Sequence, residues 1–193
     1  IQEEDGLRMS LLKVSILVFV VSFAGITAKA DSILWKGILD QPKYNVFFLR
    51  HALAPGYGDP TDFNIDNCKS QRNLNSEGRD QAASIGTDLK SIGISFDKIY
   101  SSEWCRCTET ASLLNLGEVT AFSGLNSFFQ DHYNREETLG KLMNQLENLD
   151  KTGRVLMVTH QVVISAVTGI DVSSGVAVAY NPSDGSAVKL SMR

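Results

Sequence analysis

Val46-Phe47-Phe48-Leu49-Arg50-His51-Ala52 decides the fold: four apolar residues that end on a guanidinium and an imidazole. Far along the chain Val155-Leu156-Met157-Val158-Thr159 closes in the same way on His160-Gln161. Short runs of this composition read as strands buried on both faces. In open α/β sheets, ligands bind beyond the carboxyl ends of such strands. His51 and His160, each at a strand end, are therefore expected at the same end of one sheet.

Working outward, strand and helix signals alternate. A loop rich in Gly, Pro, Asp and Asn covers residues 54–72. Asn75 is a good N-cap. It opens a helix whose apolar residues Ala82, Ile85, Leu89 and Ile92 keep helical spacing, and Gly93 stops it. Asp97–Ser101 reads as a second strand, Ser102 as the cap of a helix reaching about Leu116, and Thr120–Phe122 as a third strand. Leu139, Leu142, Met143, Leu146 and Leu149 mark an amphipathic helix. The Arg154–Thr159 strand is followed by a helix from Gln161 to about Val167. Val176–Tyr180 and Ala187–Leu190 flank Asn181-Pro182-Ser183-Asp184-Gly185 as a terminal hairpin. This alternation predicts an α/β layered fold with a mostly parallel sheet. No internal repeat is present.

The first thirty residues read differently. Residues 1–8 precede Met9 and receive no function. Met9-Ser10-Leu11-Leu12-Lys13, an apolar run from Val14 to Ile26 and the closing Ala28-Lys29-Ala30 form the pattern of a secretory signal peptide over 9–30. The run is short for a bilayer span, which needs about 20 apolar residues. Residues 31–193 are then one domain's length, expected in the periplasm or secreted, with no membrane attachment after cleavage. A net charge of −4 without a basic run gives no footprint for nucleic acid. The three cysteines, Cys68, Cys105 and Cys107, suit an oxidising compartment. One bridge and one free thiol is the simplest arrangement, with Cys68 joined to either Cys105 or Cys107. A Cys105–Cys107 bridge within one helical turn is strained. The histidines lack the spacing of a zinc site, and no cofactor is expected.

Four ordered stretches carry a family resemblance. They are Leu49-Arg50-His51-Ala52, Leu74-Asn75-Ser76-Glu77-Gly78-Arg79-Asp80-Gln81-Ala82, the segment from Tyr100 to Ala111, and Val158-Thr159-His160. Together the chain resembles the histidine phosphatase superfamily, which includes phosphoglycerate mutases and acid phosphatases. Its closest likeness is to small exported members, through Trp104-Cys105-Arg106-Cys107 and the loop from Ala54 to Pro60. The resemblance implies a three-layer α/β sandwich with a mostly parallel central sheet. It also implies a phosphatase acting on a small phosphomonoester or related compound through a phosphohistidine.

The chemistry of the residues agrees. A neutral imidazole is a good nucleophile near neutral pH, so His51 is the expected nucleophile. Arg50 and Arg106 can bind phosphate oxygens in a fork, and His160 can donate to the transferring group. The phosphate subsite is thus expected from Arg50, Arg106, His51 and His160. His132 reads as a loop residue. Two positions depart from the family pattern. Ala52 stands where glycine is usual, and its methyl group is expected to crowd the phosphate loop slightly. No acid follows His160, where Gln161 stands, and the region from Leu125 to Phe129 has none either. Asp59 is the first substitute as proton donor and Asp131 the second. The third option is that none is needed because the leaving group is already good. The alternative function is a phosphate-ligand binding protein on this scaffold with little turnover. The pocket walls are expected from loop 54–72 and segment 124–136.

Overall fold

The computed structural model describes residues 34–191. The expected signal peptide at 9–30 and residues 1–8 lie outside them. A short helical segment at 34–39 leads in. Strands β1 (Val46–Arg50), β2 (Lys98–Ser101), β3 (Val119–Ala121), β4 (Val155–Thr159), β5 (Ala177–Tyr180) and β6 (Ala187–Leu190) form one sheet in the order β3-β2-β4-β1-β5-β6. The β3, β2, β4 and β1 neighbours pair in parallel, while β5 runs antiparallel to β1 and to β6. The sheet is therefore mixed and mostly parallel, and the terminal hairpin forms its far edge.

Helices α1 (Ser76–Ser91), α2 (Cys105–Leu114), α3 (Arg135–Glu147) and α4 (Gln161–Thr168) cover the two faces. Alternate strand residues point to opposite faces. Phe47, Leu49, Leu156 and Val158 pack with Ile85, Leu89, Ala111 and Leu114 of α1 and α2. Val46, Phe48, Val155 and Met157 pack with Leu142 and Leu146 of α3 and with Val163 and Ile164 of α4. Fully burying one such side chain contributes roughly 1.5–3 kcal/mol. This is the expected three-layer arrangement. Among the described residues, no helix is long and apolar enough to cross a membrane.

The helix starts follow local chemistry. The Asn75 side chain accepts from the Gly78 N–H, and the Asn134 side chain from that of Glu137. The start of α2 corrects the sequence reading. It begins after Trp104 with no side-chain cap, and Asn115 ends it in the left-handed region at φ 51°. Ser102 does not cap it because its hydroxyl bonds within the site described below.

Candidate active site

The β1–β4 register pairs Arg50 with Thr159. His51 and His160 therefore leave adjacent parallel strands at the same level, and their ring centroids lie 5.5 Å apart. Both are buried, at 2% and 4% exposure. The His51 N–H donates to the Thr159 carbonyl at 2.9 Å. Its ring Nδ1 lies 2.7 Å from the Ala52 carbonyl. A carbonyl only accepts, so Nδ1 carries the hydrogen and Nε2 keeps a free lone pair.

The backbone after His51 is held by residues of the quoted motifs. The Ala52 N–H donates to Thr110 Oγ1 at 3.0 Å, and the Leu53 N–H to Gln81 Oε1 at 2.9 Å. Gly78 must lack a side chain, since a Cβ there would stand 1.9 Å from the Leu53 carbonyl oxygen. Ala52 is fully buried and packs with Ala54, Leu74 and Ala82 in a small core of its own.

His160 sits in a directed chain of hydrogen bonds. Its Nδ1 is 3.4 Å from Arg106 Nη2, which can only donate. Nε2 then carries the hydrogen and faces Ser102 Oγ at 3.0 Å. Ser102 passes its own hydrogen to Asn126 Oδ1 at 3.1 Å, and Asn126 Nδ2 donates to Glu103 at 2.6 Å. The donation from His160 to a phosphoryl group that the sequence leads one to expect would therefore come from Nδ1 and require a second proton on His160. A bound phosphate dianion favours that proton by its charge.

Burial, then the charge of Arg106, drives both imidazoles toward the neutral form. His51 is lowered to about 3 and His160 well below its ordinary value.

Asp59 and Arg106 form a two-pronged pair, Nη1 to Oδ1 at 2.7 Å and Nη2 to Oδ2 at 3.0 Å. The side chains are 4% and 3% exposed. Asp59 also accepts from the Trp104 indole at 3.1 Å and the Arg72 N–H at 3.0 Å. Burial raises its pKa, but the hydrogen bond and charge of Arg106 outweigh this, and the net shift is downward. Here the structure departs from two expectations. Asp59 is held ionised, which does not fit a proton donor. The Arg106 fork is spent on Asp59 rather than left for phosphate, although Arg106 Nε is buried without a partner among the described residues. Arg50 is similar: Nη1 donates to the Val172 carbonyl at 2.7 Å, and its buried Nε has no partner. Burial, then the charge of Arg106, lowers the Arg50 pKa.

Arg72 joins this group without having been singled out in the sequence. Its side chain donates to the Gly58 carbonyl at 2.8 Å and to the Ala54 carbonyl, fastening the loop. Cys68 and Cys105 form the disulfide, with Cα atoms 5.7 Å apart, which settles the pairing left open above. Gln71 Oε1 accepts from the Cys105 N–H at 2.9 Å. Cys107 is free and buried, and burial pushes its thiol up to about 12.

Arg50, His51, Asp59, Arg72, Arg106 and His160 line one cavity of about 330 Å³. Its walls come from loop 54–59 and from Ser127 and Phe129, within the two segments expected. Asp131, the second proton-donor choice, is exposed and does not line it. Gln161 lines it and donates to Asp171 at 2.6 Å. His132 packs on Phe63, with centroids 4.3 Å apart. Sequence reasoning missed Ser102, Trp104, Asn126 and Arg72 as site residues. The first two lie inside a quoted motif, which was a usable signal. Nothing local marks Arg72, because only folding of the loop brings it back to Gly58.

Residues 46–128 match the family model of the histidine phosphatase superfamily, branch 1. No curated protein matches this chain. Among solved structures, the fold is similar to that of the protein histidine phosphatase SixA complexed with tungstate, with TM-score 0.52 and 14% identity over 75% of this chain and 92% of that one. It is similar to an Escherichia coli K-12 protein described as an alpha-ribazole-5'-P phosphatase, with TM-score 0.54 and 18% identity over 77% and 95%. It is also similar to the Thermus thermophilus protein TTHB049, with TM-score 0.54 and 18% identity over 76% and 99%. Residues 46–128 are thus similar to the histidine phosphatase superfamily, and the solved structures share the α/β fold.

Proposed function

We propose that this protein is an exported phosphatase that hydrolyses a small phosphomonoester or related phosphorylated compound through a phosphohistidine on His51. One observation carries the reading. His51, with its free Nε2 lone pair, lines one cavity with Arg50, Arg72 and Arg106, and Arg50 and Arg106 each hold a buried Nε–H without a partner among the described residues. Unpaired buried donors of positive charge are costly unless an anion satisfies them. His51 Nε2 attacks phosphorus, and the bond from phosphorus to the leaving oxygen breaks. The leaving oxygen takes a proton from solvent. A water oxygen then attacks phosphorus, the phosphorus–nitrogen bond breaks with its electron pair returning to His51 Nε2, and phosphate leaves with the water proton released to solvent. The arginines neutralise charge on the phosphoryl oxygens throughout. His160, doubly protonated beside the bound dianion, donates to one of them.

Asp59 has a different part in this scheme from that of proton donor: it positions Arg106. The disulfide is compatible with export, since such bonds persist in oxidising compartments. The reaction then suits leaving groups that depart with little protonation. A phosphate-binding protein with little turnover is the second reading. It is favoured by the fact that the one carboxylate lining the cavity, Asp59, is committed to Arg106.

Rapid quench with an aryl phosphate, followed by peptide mapping without acid, separates the two. Phosphate on His51, and a loss of turnover of roughly 10³-fold or more in His51→Ala, is the expected result. Saturable phosphate binding without a phosphoenzyme would establish the second reading. Phosphate on another residue, or full activity in His51→Ala, would overturn the assignment.

A further inference from the structure

Tyr57 and Phe129 meet edge to face at the cavity wall, with centroids 5.2 Å apart and planes at 89°. Tyr57 is 88% exposed. A single exposed aromatic ring is ordinary, but the backbone beneath this one is unusually constrained. Gly56 and Gly58 on either side have φ of 97° and 68°, in the region that favours glycine. The Gly58 carbonyl is held by Arg72 Nε at 2.8 Å. A Cβ on Gly58 would lie 2.5 Å from Gln130 Oε1, so the two walls touch here through a glycine.

Gln130 fastens the walls together. Its Oε1 accepts from the Asp59 N–H at 2.7 Å, and its Nε2 donates to the Asp59 carbonyl at 3.4 Å. Gln130 and Asp131 both have left-handed backbone, at φ 62° and 57°. Consecutive non-glycine residues in that region are strained and persist where the surroundings impose them, often at ligand clamps. The strain here lies in the segment that presents Phe129.

Beyond its histidines and arginines, the cavity lining mixes apolar Tyr57, Phe129, Pro55, Leu53 and Val162 with polar Ser127, Gln161 and Ser174, and among the described residues it holds no lysine and no carboxylate besides Asp59. At about 330 Å³, the cavity is within the size range of small-molecule sites, which leaves room for more than a phosphoryl group.

We infer that Tyr57 and Phe129 form a leaving-group subsite for a flat aromatic moiety, so that the substrate class is an aryl phosphate. This rests on the phosphatase reading above. A flat ring completes an edge-to-face or offset arrangement with these two side chains. An aryl oxygen also departs with little protonation, which matches a site whose cavity carboxylate is tied to Arg106.

Calorimetric binding of two non-hydrolysable probes, benzylphosphonate and methylphosphonate, tests this without turnover. Benzylphosphonate is expected to bind about tenfold more tightly, the effect of one good aromatic contact pair. Tyr57→Ala should bring the ratio near one, and Tyr57→Phe should keep it. Tyr57 is exposed, so neither variant threatens folding. Hexylphosphonate separates a ring subsite from a merely apolar one and should bind more weakly than benzylphosphonate. Equal binding of benzyl- and methylphosphonate, equal binding of hexyl- and benzylphosphonate, or a ratio unmoved in Tyr57→Ala would each overturn the subsite while leaving the phosphatase reading standing. Binding of no phosphonate and no inorganic phosphate would overturn both.

Discussion

Asp59 and Arg106 face each other through two parallel hydrogen bonds, with their side chains almost wholly buried. The loop that carries Asp59 and the helix that carries Arg106 are 47 residues apart in sequence. This pair therefore sets where the cation stands relative to His160, whose Nδ1 is 3.4 Å from Arg106 Nη2. Removing one partner from a buried pair leaves an uncompensated charge, which costs far more than the pair itself contributes.

Asp59→Asn should accordingly destabilise the protein by roughly 3–5 kcal/mol, read as a fall in urea midpoint. It should lower kcat/KM on alkyl and aryl phosphates by similar factors, because it misplaces Arg106 for both. A general acid is worth roughly 10²–10⁴-fold, and most for poor leaving groups. A loss confined to alkyl phosphates would restore Asp59 as the proton donor.

Arg106→Lys should fail nearly as badly as Arg106→Ala. An ammonium cannot span both Asp59 oxygens and the Arg72 carbonyl, which Arg106 Nη1 reaches at 3.1 Å. Losing a preorganised charged donor from a buried site should cost roughly 10²–10³ in kcat. Turnover near wild type in Arg106→Lys would refute the geometry's importance.

The Cys68–Cys105 bridge closes a loop across a sequence separation of 37. The chain-entropy estimate for such a loop is about 4 kcal/mol. Because Cys105 directly precedes Arg106 and its N–H donates to Gln71, next to Arg72 in the loop, reduction should lower both Tm and kcat. The double variant Cys68→Ser, Cys105→Ser should behave like the reduced protein. Identical melting curves with and without dithiothreitol would show that the bridge contributes little.

Stability should fall in acid because of the buried histidines. An unfolded histidine takes a proton near pH 6.5, whereas folded His51 resists until about 3. Between those values the unfolded state binds more protons, so stability drops as pH falls, by roughly 1.4 kcal/mol per pH unit for each such group. Above about pH 6.5 neither state is protonated and the effect vanishes. His160 acts with the same sign. Asp59, whose carboxyl is held below its ordinary value, adds a further loss at lower pH. Urea titrations at pH 7 and 4.5 should show the drop, and His51→Gln should reduce its slope.

The elements were legible because periodicity and caps are local. Asn75 and the spacing of Ala82, Ile85 and Leu89 mark α1, and the two apolar runs ending in His51 and His160 mark the central strands. Ser102 misled as a cap because a serine before a helix has the same local signature whether its hydroxyl meets the helix or a neighbouring side chain. Its actual partners, His160 and Asn126, are 58 and 24 residues away.

By itself, the sequence determined the α/β alternation, the two strand-end histidines and the arginines beside them, since buried strands and amphipathic helices are written in spacing and composition. The tertiary structure decided which groups compensate one another. Whether Asp59 offers a proton or holds Arg106, and whether Cys68 meets Cys105 or Cys107, depends on the path of loop 54–72 across the sheet end. That path is set by long-range contacts such as Arg72 on Gly58 and Gln130 on Asp59. Charge and hydrogen-bond energies depend on distances of a few ångströms between residues remote in sequence, and no local pattern encodes such distances.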